Sequence, residues 1–138
     1  LYLLISFLRK VIFLSLKALG IGIGDEVIAP SYTFHATIGA IATTGAKPIF
    51  AEVNDDLNID PSDIEKKITK KTKAIMAVHL FGYPCNMIKI SEIAKNYKLK
   101  LIEDCSEAHG SQVNNKLVGT FGDIGCFSFF SNKNLNCG

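Results

Sequence analysis

Short apolar or β-branched runs alternate with stretches of helical spacing from residue 25 to residue 130, and few folds accept that order. "DEVIAP" (25–30), "KPIFAEV" (47–53), "TKAIMAVHL" (72–80), "LKLIED" (99–104) and "GDIGCFSFF" (122–130) read as strands. "TFHATIGAIATTG" (33–45), "DPSDIEKKI" (60–68) and "NMIKISEIAKNYK" (86–98) read as helices. Ser31 or Thr33 is placed to cap the first of these helices, and Gly45 to end it. Asp60 is placed to cap the second, with Pro61 at its first helical position. Strand, helix, strand with short connections means right-handed crossovers and a mostly parallel sheet. Nearly continuous apolar strands fit a sheet covered on both faces, so the expected fold is a three-layer α/β arrangement.

The chain of 138 residues is long enough for one domain with a real core, and 48% hydrophobic with 20% charged residues is a globular balance. A net charge of +2, with lysines scattered and not striped, points away from nucleic acid and from a membrane surface. Cys85, Cys105, Cys126 and Cys137 lack metal-site spacing and read as free thiols of a reducing cytoplasm. The start is unusual: "LYLLISFL" is interrupted by Arg9 and Lys10 before "VIFLSLKALGIGIG" resumes. The first run is shorter than the roughly 20 residues that span a bilayer, and it lacks a basic flank or a cleavage site. A core helix is expected there, or a start that is not native sequence. "IGIGDEV" (21–27) lies after a helix and before a strand, the reverse of a dinucleotide-binding turn, and reads as a helix stop.

In parallel sheets function collects at the carboxyl ends of the strands. His79 and Asp104 fall there, and Lys133 comes just past the last strand. Glu103 and Asp104 are adjacent on a strand and must point to opposite faces, so one can look into a site while the other is structural. Solvated strand-end acids would give the same pattern. Glu107 and His109 sit two apart in "SEAHGS", which a surface turn would also explain. Lys133 stands among apolar and neutral polar residues in the sequence, a setting that favours the neutral amine needed for Schiff-base chemistry. A pyridoxal cofactor would also need an acid at its ring nitrogen, which Asp104 could supply. Phe34, near a helix start, is either core or a flat face for a planar ligand.

The stretches "GDEVIAPSYTFHATIGAIATTGAKPIFAEV", "LNIDPSDIEKKITKKTKAIMAVHLFGYPCNM", "LIEDCSEAHGS" and "VGTFGDIGCFSFFSNKNLNCG" together resemble the DegT/DnrJ/EryC1/StrS family from about Phe13 to Gly138. These are pyridoxal 5'-phosphate-dependent aminotransferases acting on nucleotide-linked keto-sugars. The resemblance implies an aspartate aminotransferase-like (fold type I) large domain, seven-stranded when complete, of which 1–138 would be a part without the small C-terminal domain. It implies that Lys133 forms the covalent link to the cofactor and that Asp104 pairs with the pyridine nitrogen. It places Glu107 by the ring hydroxyl, Ser128 on the phosphate, Phe34 stacked on the ring and His109 beside the cofactor. It further implies glutamate as amino donor, a nucleotide-sugar acceptor, a cytoplasmic homodimer for the full-length protein, and no nucleic acid or membrane partner. Members with histidine in place of this lysine dehydrate their substrate, so Lys133 favours transamination.

Three departures accompany the resemblance. Glu107 stands where the family often has glutamine. "SFLRKVIF" replaces the Gly-Thr turn whose amides cradle the phosphate, which makes residues 1–12 atypical. The chain also stops at Gly138, where the family continues into a glycine-rich segment, so the isolated polypeptide is expected to be inactive. The alternative reading is a non-catalytic α/β remnant or binding module.

Overall fold

A computed structural model describes residues 8–133 and 135 of the chain. Five strands form one sheet in the order β2-β1-β3-β4-β7, every neighbouring pair parallel. They are β1 (Glu26–Pro30), β2 (Lys47–Ala51), β3 (Thr72–Val78), β4 (Lys100–Asp104) and β7 (Ile124–Cys126). The helices are α1 (Leu8–Ala18), α2 (His35–Thr43), α3 (Pro61–Lys67) and α4 (Met87–Asn96). A small antiparallel hairpin, β5 (Gln112–Val113) and β6 (Lys116–Leu117), lies apart from the sheet.

The pleat sorts each strand between two cores. Val27, Ala29, Met76, Val78 and Ile102 pack with Ile12 and Leu16 of α1 and with Ala40 and Ile41 of α2. Ile28, Ile75, Ala77 and Leu101 face the other way, onto Ile64 of α3 and Met87 and Ile90 of α4. The crossover from β1 to β2 thus carries its helix on one face, and those into β3 and β4 carry theirs on the other. A single crossover hand requires that, since the chain moves across the sheet in opposite senses. The expected three-layer α/β architecture is therefore present.

Several boundaries differ from the sequence reading, each for a local reason. Helix α2 begins at His35 with Phe34 at its N-cap and no side-chain cap. Thr33 is not the cap because its hydroxyl donates to Thr37 Oγ1 at 3.3 Å. Strand β3 ends at Val78, and Leu80–Gly82 form a 3₁₀ turn in which Phe81 takes φ 53°. Strand β7 holds only Ile124–Cys126 because its neighbour β4 ends opposite Cys126, leaving the following residues nothing to pair with. The β5–β6 hairpin was not foreseen, although "VNNK" is its signal: Asn114 and Asn115 both take positive φ, 51° and 63°, as a tight hairpin turn demands.

Other expectations hold. Gly45 follows α2 at φ 88°, a left-handed conformation that glycine adopts without strain. Asp60 caps α3 by accepting from the Ser62 amide at 2.8 Å, and the Ser62 hydroxyl is the leading cause of its lowered pKa. Asp60→Ala should cost about 1 kcal/mol in urea denaturation, the usual loss for such a cap. A depressed carboxylate contributes stability above its unfolded value and loses it as pH falls through the folded value, so the deficit should shrink in acid.

The N-terminal helix is a core element from Ile12 and Leu16 onward. No helix among the described residues is long and apolar enough to cross a membrane. Cys85, Cys105 and Cys126 are free and buried, and burial pushes the Cys85 and Cys126 thiols up to about 12 and about 11. The expectations for residues 1–7 and for Cys137 lie outside the described residues.

Candidate active site

Strand β4 ends in two acids that the pleat sends to opposite faces. Glu103 is 0% exposed and takes the structural role. Its Oε1 accepts from the amides of Phe121 and Gly122, each at 2.8 Å. Its Oε2 accepts from the Gly119 amide at 2.7 Å and faces His79 Nε2 at 3.2 Å. The Cys85 amide donates to His79 Nδ1 at 3.0 Å, so the histidine carries its proton on Nε2 and donates it to Glu103. Burial raises the Glu103 pKa, but the hydrogen bonds from His79, Gly122 and Gly119 outweigh it and leave the carboxyl below its ordinary value. One side chain thereby stitches the loop before β7 to the sheet. Cys105 brings its thiol to within 4.8 Å of this pair, but both Glu103 oxygens are already taken by hydrogen bonds, so Glu103 and His79 form a hydrogen-bonded hub.

Asp104 faces the α1–α2 side and is 2% exposed. Its Oδ2 accepts from Thr37 Oγ1 at 3.0 Å, and its Oδ1 accepts from the Ser106 amide at 3.2 Å and from the Ser106 hydroxyl. Burial raises its pKa, while the hydrogen bonds from Ser106 and Thr37 only partly oppose that. Asp104 opens onto a pocket of about 40 Å³ that Phe34, His79, Ser106, Glu107 and Lys133 also line.

A larger cavity of about 710 Å³ adjoins it and shares Phe34, Glu107 and Lys133. Ser128, Phe130, Arg9 and Lys10 line this larger space. Phe34, at the α2 N-cap, is 62% exposed and presents a face there, its ring tilted against His35 at a centroid distance of 4.2 Å. Lys133 Nζ meets Glu107 Oε1 at 3.1 Å. The lysine is therefore not surrounded by neutral groups alone, as its sequence neighbours suggested, because the chain folds it back onto a carboxylate from the segment after β4.

His109 packs between Phe127 and Phe129, with ring centroids 5.6 and 5.2 Å apart. Ser128, between those two rings in sequence, is buried and turns the other way into the larger cavity. His109 lines neither cavity, and both its ring nitrogens are buried without a hydrogen-bond partner among the described residues. The structure thus brings Phe34, Asp104, Glu107, Ser128 and Lys133 together and leaves His109 beneath the loop that carries Ser128. Sequence reasoning missed Thr37 and Ser106, the two residues that hold Asp104. Ser106 had a signal, two positions after an aspartate where a local turn closes; Thr37 had none. It also missed that Arg9 and Lys10 reach the cavity.

These residues fit a phosphorylated aromatic aldehyde. They offer an amine, a flat aromatic face, a buried carboxyl whose charge a cationic ring nitrogen would relieve, and a hydroxyl with basic side chains for an anion.

Comparison with known proteins agrees. Residues 10–138 match the model of the DegT/DnrJ/EryC1/StrS aminotransferase family. The chain is 56% identical over 126 residues to a GDP-perosamine synthase of Escherichia coli O157:H7, covering 91% of this chain and 35% of that protein. It is 54% identical over 117 residues to dTDP-3-amino-3,6-dideoxy-alpha-D-galactopyranose transaminase of Aneurinibacillus thermoaerophilus, covering 84% of this chain and 32% of that protein. Among solved structures, S. venezuelae DesV in complex with a ketimine intermediate superposes with a TM-score of 0.93 at 39% identity, covering 96% of this chain and 36% of that one. The chain spans about a third of the length of the curated relatives it matches.

Proposed function

The chain belongs to the DegT/DnrJ/EryC1/StrS aminotransferase family, and from that premise we propose that it is the cofactor-binding part of an enzyme that transfers an amino group to a nucleotide-linked keto-sugar. The observation that carries this reading is the convergence of Phe34, Asp104 and Lys133 from the ends of β1, β4 and β7 onto adjoining cavities. Pyridoxal 5'-phosphate, when bound, supplies an electron sink that neither the chain nor its substrates possess. Lys133 supplies the amine that holds the cofactor and, once released, the base that moves a proton at the reacting carbon. Asp104, its carboxyl fixed by Thr37 and Ser106, would keep a proton on the ring nitrogen. Phe34 and Glu107, which line both cavities, would hold the cofactor ring from its face and its edge. Ser128, Arg9 and Lys10, which line the larger cavity, would hold the phosphate in place of the Gly-Thr turn that this chain lacks.

The wider assignment follows the family. Glutamate is the amino donor, the full-length protein is a cytoplasmic homodimer, and this chain is part of its large domain. The two relatives above are named for a GDP-linked and a dTDP-linked product, which supports the nucleotide-sugar class and does not choose within it.

The missing Gly-Thr turn favours a second reading, a remnant that binds without chemistry. One experiment separates the two. The chain is mixed with pyridoxal phosphate, reduced with borohydride, digested and mapped by mass. Label concentrated on Lys133, with a visible absorption band before reduction, is the expected result. Label spread over surface lysines such as Lys66 and Lys89 would overturn the assignment.

A further inference from the structure

Two described partners hold the two Glu107 oxygens. Oε1 meets Lys133 Nζ at 3.1 Å, and Oε2 accepts from the Phe81 amide at 3.0 Å. The amide belongs to a turn with two consecutive left-handed residues, Phe81 at φ 53° and Gly82 at φ 85°. A non-glycine residue there costs about 1–2 kcal/mol, so the turn needs anchors. The Glu107 carboxylate is one, and Ser111 Oγ, donating to the Gly82 carbonyl at 2.9 Å, is another. The carboxylate is thereby held at Lys133 by a bond to a fixed part of the fold. Glutamine could not serve both donors. Its single oxygen would take one, and its amide group would face the other, N–H against N–H.

We infer that Glu107 is a positioning residue that acts as a brake on Lys133: it ties the ammonium to the Phe81 turn and slows the attack of this amine on any carbonyl brought into the cavity. An ammonium has no lone pair. It must first give up one proton, to water or to the carboxylate, before nitrogen forms the C–N bond and the carbonyl oxygen leaves as water. The bond to Glu107 also holds Nζ at 3.1 Å, and it must break before the nitrogen can turn to a carbonyl. Among the described residues, no other charged group that lines the two cavities takes its place. Asp104 and His79 line the small pocket with Lys133, but the Asp104 oxygens are held by Thr37 and Ser106 and His79 is bound to Glu103. Arg9 and Lys10 line the larger cavity and are cationic. The pair is partly open to water, with side-chain exposures of 18% for Lys133 and 37% for Glu107, so the brake is moderate.

This inference rests on the proposed function only for its biological meaning, and its test needs no cofactor. Trace acetylation with acetic anhydride at mildly alkaline pH reports how readily each lysine amine attacks a carbonyl carbon. Labelling of Lys133, normalised to the exposed Lys89, is compared in the unaltered chain, Glu107→Gln and Glu107→Asp. Release of an ion pair of this exposure should make Lys133 of E107Q react about twofold to fivefold faster. E107D, which keeps the charge, should return towards the unaltered rate. An E107Q rate equal to or below that of the unaltered chain, or an E107D rate matching E107Q, overturns the brake. If that happens while borohydride still fixes pyridoxal phosphate on Lys133, the proposed function stands. If the brake is found while the cofactor label spreads over surface lysines, the proposed function falls and the brake remains.

Discussion

Glu103→Ala should remove about 3–5 kcal/mol of folding stability, the scale found when one member of a buried charged network is deleted. A domain of this size has roughly 5–15 kcal/mol to lose, so this variant should be marginal or unfolded. The cost lies in the partners left behind. Without the carboxylate, the amides of Gly119, Phe121 and Gly122 and the His79 Nε2–H all lose their acceptor inside the protein. Each such orphan costs about 1–3 kcal/mol. Glu103→Gln has nearly the same shape and should still be destabilising. Its amide group must face either Phe121 and Gly122 or Gly119 and His79, donor against donor on both choices. His79 cannot relieve this by moving its proton, because the Cys85 amide holds Nδ1 as an acceptor.

The pH dependence adds a second check. The folded Glu103 pKa is depressed. Its contribution is therefore present above the unfolded carboxylate value and is lost as pH falls through the folded one. The unaltered chain should lose stability on acidification more steeply than E103Q, so that the two urea midpoints converge at low pH. Midpoints that stay equally far apart across the acid range would refute the hub.

How much of this could be read from the sequence depends on how local each cause is. Strand and helix order came through because apolar periodicity and caps such as Asp60 and Gly45 act within a few residues. The division of labour between Glu103 and Asp104 followed from the pleat alone. Which acid took which role did not, since it depends on a loop fifteen or more residues later returning three amides to one of them. The end of β7 was misjudged for a similar reason: "CFSFF" has strand propensity, but β4 ends before those residues could pair with it. Phe34, Ser128 and Lys133 were placed by family resemblance and do meet at one cavity. Glu107 was assigned to the same region, but its bond to the Phe81 amide depends on a turn in an unusual backbone conformation. His109 was expected at the cofactor and instead packs between two phenylalanines, which its sequence spacing from Asp104 could not reveal.

Asp104→Asn should separate stability from chemistry. Burial pushes the Asp104 pKa up, the reverse of its neighbour. A raised carboxyl favours the protonated fold: stability is intact below the unfolded value and is lost as pH rises through the folded one. Asparagine is neutral throughout and nearly the same size. Its oxygen can keep the Ser106 bonds, and the Thr37 hydroxyl can turn to accept from its amide group. The cofactor-free D104N chain should therefore melt above the unaltered chain at neutral pH, with the difference closing in acid. The cost falls on the reaction. A carboxamide cannot hold a proton on a ring nitrogen opposite it, and loss of a positioned acid or base slows a proton-transfer step by about 10²- to 10⁴-fold. That slowing should appear when D104N is placed in the full-length protein, an amino donor is added to its cofactor-loaded form and the change in absorbance is timed. A D104N chain that melts lower at neutral pH and reacts at the unaltered rate would assign Asp104 to the fold. The expected pair of results instead assigns the stability cost of this buried acid to function, one residue beyond a buried acid whose charge holds the fold together.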